Sequence, residues 1–195
     1  MGCVPMDTDR LVAAFRHAAE LQASQPRKGT DIPYLSHLMA VAAIVLEQGG
    51  DEDQAVAALL HDAIEDHPDD GRTRDTIRAR FGDRVGTLVE ACTDADTHPK
   101  PLWGERKERY LEHLPQAPRE ARLIVLADKL HNARAILADH RAVGERVWER
   151  FNVPKQATLW YYRALADAFA RLEPGHLTAE FERVVAELEE QARQP

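Results

Sequence analysis

The chain has 195 residues, enough for one domain, and its 44% hydrophobic and 30% charged residues are typical of a protein with a folded core. A formal net charge of −8 argues against non-specific wrapping of nucleic acid, although a local basic cluster could still bind a small phosphorylated ligand. Two cysteines, no signal-peptide pattern and no apolar run near the roughly 20 residues of a membrane span predict a cytoplasmic protein without a disulfide framework or a membrane partner.

Apolar residues recur at helical spacing along almost the whole chain, and no strand-like alternation is present. In chain order, the pattern predicts helices over residues 8–23, 33–47, 51–67, 74–81, 85–92, 106–114, 120–138, 154–172 and 178–193. Polar loops are expected from Gln25 to Ile32 and from Thr93 to Trp103. Residues 1–6 are expected to be a disordered tail.

Several helix ends carry recognisable signals. Pro33 suits the first turn of the second helix, and Asp51 with Gln54 forms a near-capping box at the start of the third. The third helix is so apolar that we expect it to be central and to run on to Pro68, and Thr178 is expected to cap the last helix. The predicted fold is all-α, a bundle of about 8–10 helices. It forms one domain over 7–195 with its core at 15–172 and a C-terminal helix at 178–193.

Four side chains have the chemistry of a metal site. A catalytic divalent metal needs imidazole and carboxylate ligands that converge, and the chain offers His37, His61, Asp62 and Asp128. Asp62 and Asp128 each interrupt an apolar stretch, where an unpaired carboxylate would be costly. A single His-Asp dipeptide arises easily by chance, whereas a His, then His-Asp, then a distant Asp after an apolar run is a specific order.

Two further acidic residues follow the dipeptide by one helical turn. Glu65 and Asp66 could share a face with His61 and Asp62, where carboxylates could orient and deprotonate a water molecule. The simpler interpretation is a solvated helix end, and Asp66 fits that interpretation better than Glu65 does.

Four segments together resemble the RelA/SpoT-type hydrolase domains of the HD superfamily. They are RKGTDIPYLSHLMAVA, ALLHDAIED, CTDADTHPK and LADKLHNAR, and the likeness runs from roughly Phe15 to Leu137. The combination of HDxxED with LADKLxNxR carries the specificity. The resemblance implies an HD-domain helical bundle and a stand-alone small alarmone hydrolase. Such an enzyme removes pyrophosphate from the 3′ position of guanosine tetra- or pentaphosphate, (p)ppGpp, with a metal-activated water and commonly with Mn²⁺.

The resemblance also implies roles for individual residues. The metal would be held by His37, His61, Asp62 and Asp128, with Glu65 and Asp66 positioning or activating the water. The residues implied to contact the nucleotide or its phosphates are Arg27, Lys28, Lys100, Asn132, Arg106, Lys107, Arg134 and Tyr162. Each cation in this set could also be an ordinary surface residue.

Some positions depart from the family pattern. Gln22 stands where many members carry His, while Gln25 is kept, and PKPLWGERKERY carries extra residues. These differences leave the nucleobase open, so another nucleotide substrate, such as the adenosine alarmone (p)ppApp or a phosphorylated cofactor, is an alternative. A catalytically inactive regulatory module that binds a nucleotide is a third interpretation. The expected partner is a small nucleotide, and the sequence leaves a homo-oligomer open.

Overall fold

The computed structural model describes residues 6–67, 71–94 and 101–193. Over these ranges α-helix dominates, and the extended structure consists of an isolated bridge between Pro26 and Pro33. The α-helices are α1 (Thr8–Leu21), α2 (Leu35–Glu47), α3 (Glu52–Leu60), α4 (Ala63–Asp66), α5 (Arg72–Phe81), α6 (Asp83–Cys92), α7 (Trp103–His113), α8 (Arg119–Val143), α9 (Lys155–Leu172) and α10 (His176–Gln191). Short 3-10 helices span Leu114–Gln116 and Gly144–Arg150. The predicted all-α fold is confirmed.

The described residues form two compact units, of which the first comprises the described residues up to Pro101 together with residues 117–125. Its centre is α3, where every residue from Gln54 to Leu60 is buried. Helices α1, α2 and α6 pack against α3, which explains why this helix is apolar on all sides. The central position expected for the third helix is therefore confirmed.

The two ends of α3 differ in how well the sequence predicted them. At the start, the Asp51 carboxylate accepts from the Gln54 backbone amide, and the Gln54 side chain accepts from the Asp51 amide, so the capping box is complete. At the other end the predicted continuous helix is wrong. Asp62 has φ −96° and ψ −3°, far from helical values of about −63° and −42°, so α3 ends at Leu60 and α4 begins anew.

The second unit comprises residues 102–116 and 126–193, and α9 is its central helix. Helices α7 and α10 pack against α9. The core between α9 and α10 contains the fully buried Phe169 and Phe181, whose rings meet edge to face with centroids 6.4 Å apart. The single domain predicted over 7–195 remains a prediction.

Other boundaries moved by a few residues. Helix α8 continues to Val143, and neither the 3-10 helix before it nor the one after it was predicted. The last helix begins at His176, so Thr178 does not cap it; the Thr178 hydroxyl donates to the Glu173 carbonyl 2.6 Å away. Pro33 lies in the bridge before α2 rather than in its first turn. In the ranges that the structure describes, no helix has both the length and the apolar character that a membrane crossing needs.

Candidate active site

Two buried imidazoles meet at one side of α3. His37 is the third residue of α2 and has no exposed surface, while His61 directly follows α3 and is 3% exposed. Their ring centroids are 5.3 Å apart and the planes are inclined at 68°. Two histidines buried this deeply in one place are costly unless their ring nitrogens have polar or metal partners.

The hydrogen bonding of His61 determines which ring nitrogen can bind a metal. Nδ1 lies 2.8 Å from the carbonyl oxygen of Ala58. A carbonyl can only accept, so Nδ1 carries the proton, and Nε2 of the neutral ring keeps its lone pair. Nε2 lies 3.0 Å from Oδ2 of Asp62. Two electron-rich atoms at that separation repel unless a proton or a cation lies near both, so the arrangement fits a bound metal ion.

Asp62 is held in place by a residue that the sequence analysis did not single out. The Tyr34 hydroxyl donates a hydrogen bond to Oδ2 of Asp62. The Tyr34 and His37 rings lie 5.3 Å apart, and Nε2 of His37 is 3.9 Å from the same Asp62 oxygen. The sequence signal for this contact is the Pro33-Tyr34 pair shortly before His37.

Asp128 lies on α8, which is one uninterrupted helix from Arg119 onward. It is 6% exposed, and Asn132 one turn later donates to its Oδ1. The ammonium of Lys129 is 2.7 Å from its Oδ2. Burial alone would lower the pKa of Lys129, but the charges of Asp128 and of two nearby tyrosines together raise that pKa well above its usual value.

Three buried residues offer ligand atoms of the kind that a metal needs: His37 and His61 in the first unit and Asp128 in the second. Imidazole nitrogen and carboxylate oxygen together suit a first-row divalent metal. Within the first unit, Asp62 adds a carboxylate oxygen 3.0 Å from His61.

The second acidic pair lies on the short helix α4, where Glu65 and Asp66 are both half-buried. The side-chain amides of Gln22 and Gln25 donate to Oδ2 of Asp66 at 3.1 and 3.2 Å. Burial raises the pKa of Asp66, and the negative charge of Asp62 raises it further. A solvated helix end would show neither feature, so Asp66 belongs to an organised polar cluster.

The basic residues before α2 are arranged around Tyr34. The Arg27 guanidinium carbon lies 5.9 Å from the centre of the Tyr34 ring, and the Arg27 backbone amide donates to Ile32 at 2.7 Å. The neighbouring Lys28 is exposed. The Tyr34 side chain therefore contacts Arg27 with its ring and Asp62 with its hydroxyl. Lys100, the third cation predicted for this function, lies outside the described residues.

The remaining predicted substrate contacts lie in the second unit. Lys107 on α7 has its ammonium 4.9 Å from the centre of the Tyr161 ring, and Arg106 precedes it on the same helix. Arg134 forms an ion pair with Glu180 on α10. Tyr162 is 8% exposed, with its ring 6.4 Å from Phe181, so it packs in the core.

Comparison with known proteins identifies the family. A family model described as the HD domain matches residues 14–153. The chain belongs to the HD-domain family. The guanosine-3′,5′-bis(diphosphate) 3′-pyrophosphohydrolase of Xenopus tropicalis is 41% identical over 131 residues, which cover 66% of this chain and 70% of that protein. The Mus musculus enzyme of the same name is 40% identical, covering 64% and 68% of the two chains.

A solved structure has the same fold. A metazoan ortholog of SpoT, described as hydrolysing ppGpp, matches with a TM-score of 0.74 over 95% of this chain and 98% of that one. At 24% identity this match establishes the shared fold. Together the comparisons confirm the predicted HD family, its RelA/SpoT-type branch and the enzyme class, a metal-dependent phosphohydrolase that uses a divalent metal.

Proposed function

We propose that the chain is a guanosine-3′,5′-bis(diphosphate) 3′-pyrophosphohydrolase. The observation that carries the proposal is the placement of a hydrogen-bonded carboxylate, Asp66, one helical turn beyond the His61-Asp62 pair. A binding module would need the metal ligands but not this additional, partly desolvated acidic group. The substrate assignment is supported by the activity named for the Xenopus tropicalis and Mus musculus relatives.

We propose four metal ligands: His37, His61, Asp62 and Asp128. They are supported by the burial of both histidines and of Asp128, and by the hydrogen bond that leaves Nε2 of His61 available as a ligand atom. When bound, the divalent ion, which we propose is Mn²⁺, would polarise a phosphoryl oxygen and lower the pKa of water. Asn132 and Tyr34 would orient the ligand carboxylates through the hydrogen bonds described above.

The two residues on α4 would handle the proton. Glu65 and Asp66 orient a water molecule and accept its proton as the water oxygen attacks the nearer phosphorus of the 3′-diphosphate. The bond between that phosphorus and the ribose 3′ oxygen breaks. Pyrophosphate leaves, and the ribose oxygen takes up a proton to become a hydroxyl group. The raised pKa of Asp66 suits a group that must hold a proton for part of the cycle.

The substrate carries several negative charges into a site that already holds carboxylates, so cations are required beside it. Arg27 is the best supported, because it lies over the ring of Tyr34. The other proposed contacts are Lys28, Lys100, Asn132, Arg106, Lys107, Arg134 and Tyr162. Among these, the ion pair of Arg134 with Glu180 and the burial of Tyr162 would have to be rearranged for direct contact.

The decisive experiment is an assay with Mn²⁺ on guanosine tetraphosphate and on its adenosine counterpart. Pyrophosphate release from the guanosine compound is expected. Release from the adenosine compound alone would transfer the assignment to the other nucleotide, which the departure at Gln22 keeps open. Absence of bound metal together with absence of turnover on both would support the regulatory module instead.

A variant separates catalysis from metal binding. E65Q should abolish turnover and leave the manganese content nearly unchanged, because the amide keeps the shape of the side chain and cannot accept the proton at neutral pH. E112Q, at an exposed position on α7, is the matched control and should retain full activity. Loss of the metal in E65Q would mean that Glu65 is a ligand.

We also propose that the protein is a cytoplasmic enzyme that consists of one domain.

A further inference from the structure

Two glutamine side chains converge on one oxygen of Asp66. Both Nε2 groups, of Gln22 at 3.1 Å and of Gln25 at 3.2 Å, donate to Oδ2. Gln22 is 5% exposed, an unusual degree of burial for a glutamine. Its side-chain carbonyl oxygen is buried without a hydrogen-bond partner in the described part of the chain. An unsatisfied buried acceptor costs free energy, and the same side chain donates to Asp66 despite this cost.

The backbone holds both glutamines in place. Gln22 caps the end of α1, where its backbone amide donates to the backbone carbonyl of Ala18 at 3.0 Å. The backbone amide of Gln25 donates to the backbone carbonyl of Gln22 at 3.1 Å. The backbone carbonyl of Gln25 accepts from the backbone amide of Tyr34 at 2.9 Å. The same short segment therefore presents Tyr34 to Asp62 and two amides to Asp66. Such pre-organised donors fix the orientation of a carboxylate more tightly than flexible surface side chains could.

The arrangement treats the two oxygens of Asp66 unequally. Oδ2 accepts both amides, whereas within the described ranges nothing donates a hydrogen bond to Oδ1. Both donors are neutral amides, so they orient the carboxylate without placing a positive charge beside it. A cation in their place would stabilise the charged form much more strongly and would weaken the group as a base.

We propose that Gln22 and Gln25 are positioning residues that hold Asp66 by Oδ2 and leave Oδ1 directed at the reacting water. The inference rests on the proposed function, since it assigns the orientation of one of its two acidic groups. A merely structural contact between α1 and α4 would predict loss of stability without a specific effect on turnover.

The kinetic test replaces each amide with a side chain of similar length that cannot donate. Q22M and Q25M should each lower kcat about tenfold, within the 10–100-fold usual for the outer partners of a catalytic site, while KM changes less than about twofold. Q48M is the matched control, because Gln48 caps the end of α2 in the same way but is exposed, and its kcat should equal that of the wild type. Q22H, which keeps an N–H donor, should recover most of the lost activity.

A double-mutant cycle identifies the residue through which the glutamines act. In the D66N background, Q22M should cause no further loss of the residual rate, because the orientation of the basic carboxylate no longer matters. The same tenfold loss in both backgrounds would overturn the inference, as would wild-type kcat in Q22M and Q25M.

A second readout does not depend on the substrate. In the metal-free protein, the side-chain amide NMR signals of Gln22 and Gln25 should both shift in D66A, and those of Gln48 should not. Turnover of neither alarmone by the wild type would sink the proposed function, and these signals would then decide the inference alone. Unshifted Gln22 and Gln25 signals overturn it.

Discussion

Nε2 of His61 lies 3.0 Å from Oδ2 of Asp62, the next residue along the chain. Nδ1 of the same ring donates its proton to the carbonyl of Ala58, so Nε2 carries a lone pair. This lone pair therefore faces a carboxylate oxygen at short range. A divalent ion shared by both atoms would turn that repulsion into attraction, so the protein should be measurably more stable with metal than without it.

The first prediction concerns this metal-dependent stability. Adding Mn²⁺ to chelator-treated protein should raise the free energy of unfolding by about 2.7 kcal/mol when the free ion is at about 100 times its dissociation constant. H61Q should remove most of that increase, whereas H113Q, on the exposed surface of α7, should keep it. Urea unfolding with and without the metal provides the measurement. A full increase in H61Q would exclude His61 as a ligand.

The second prediction concerns the hydroxyl of Tyr34. Y34F removes the hydrogen bond to Asp62 and keeps the ring that packs beside His37. Manganese affinity should fall about tenfold, because the hydroxyl orients a proposed ligand carboxylate. Calorimetric titration of the metal-free protein measures the affinity. If the manganese affinity is unchanged and turnover falls, the Tyr34 hydroxyl acts on the substrate and not on metal binding.

The third prediction follows from the raised pKa of Asp66. Burial and the charge of Asp62 lift this pKa above its ordinary value of 3.8, so the folded protein binds a proton that the unfolded chain releases. Stability of the metal-free protein should therefore fall as the pH rises from that value through the folded-state pKa. D66N should raise Tm at pH 7 and have little effect near pH 3, where both states are protonated. It should also lower turnover to a small residual rate.

The control for this pH effect is D31N, in the exposed loop before α2. It should leave the difference in Tm between pH 7 and pH 3 as in the wild type. If D66N lowers Tm at pH 7, the charged carboxylate stabilises the fold and the burial argument fails.

The fourth prediction separates stability from activity. D51A removes the complete capping box of α3 and the contact of Asp51 with Arg84, 2.7 Å away. The free energy of unfolding should fall by about 1 kcal/mol, within the usual range for a lost N-cap, while kcat stays at the wild-type value. Urea unfolding and steady-state kinetics on the same sample provide the test. A large loss of kcat would show that the start of α3 controls the geometry at its other end.

Local sequence rules predicted most helices because their signals lie within a few residues. The Asp51–Gln54 capping box is an example, since both partners belong to one turn. The same rules failed at Asp62, where helical spacing continued but the helical backbone geometry did not. There Asp62 is held by the hydroxyl of Tyr34, 28 residues away in the chain, and tertiary contacts of this kind override propensity.

The sequence by itself determined the all-α fold, the family and the residues able to bind a metal, because helical periodicity and motif order are properties of a linear chain. The ligand set remains a prediction. Only the tertiary structure decided the tautomer of His61, the partner of Tyr34 and the convergence of Gln22 and Gln25 on Asp66. The contacts of Tyr34 with Asp62 and of the two glutamines with Asp66 join residues 28 to 44 apart in the chain, and nothing local to either partner specifies where the other lies.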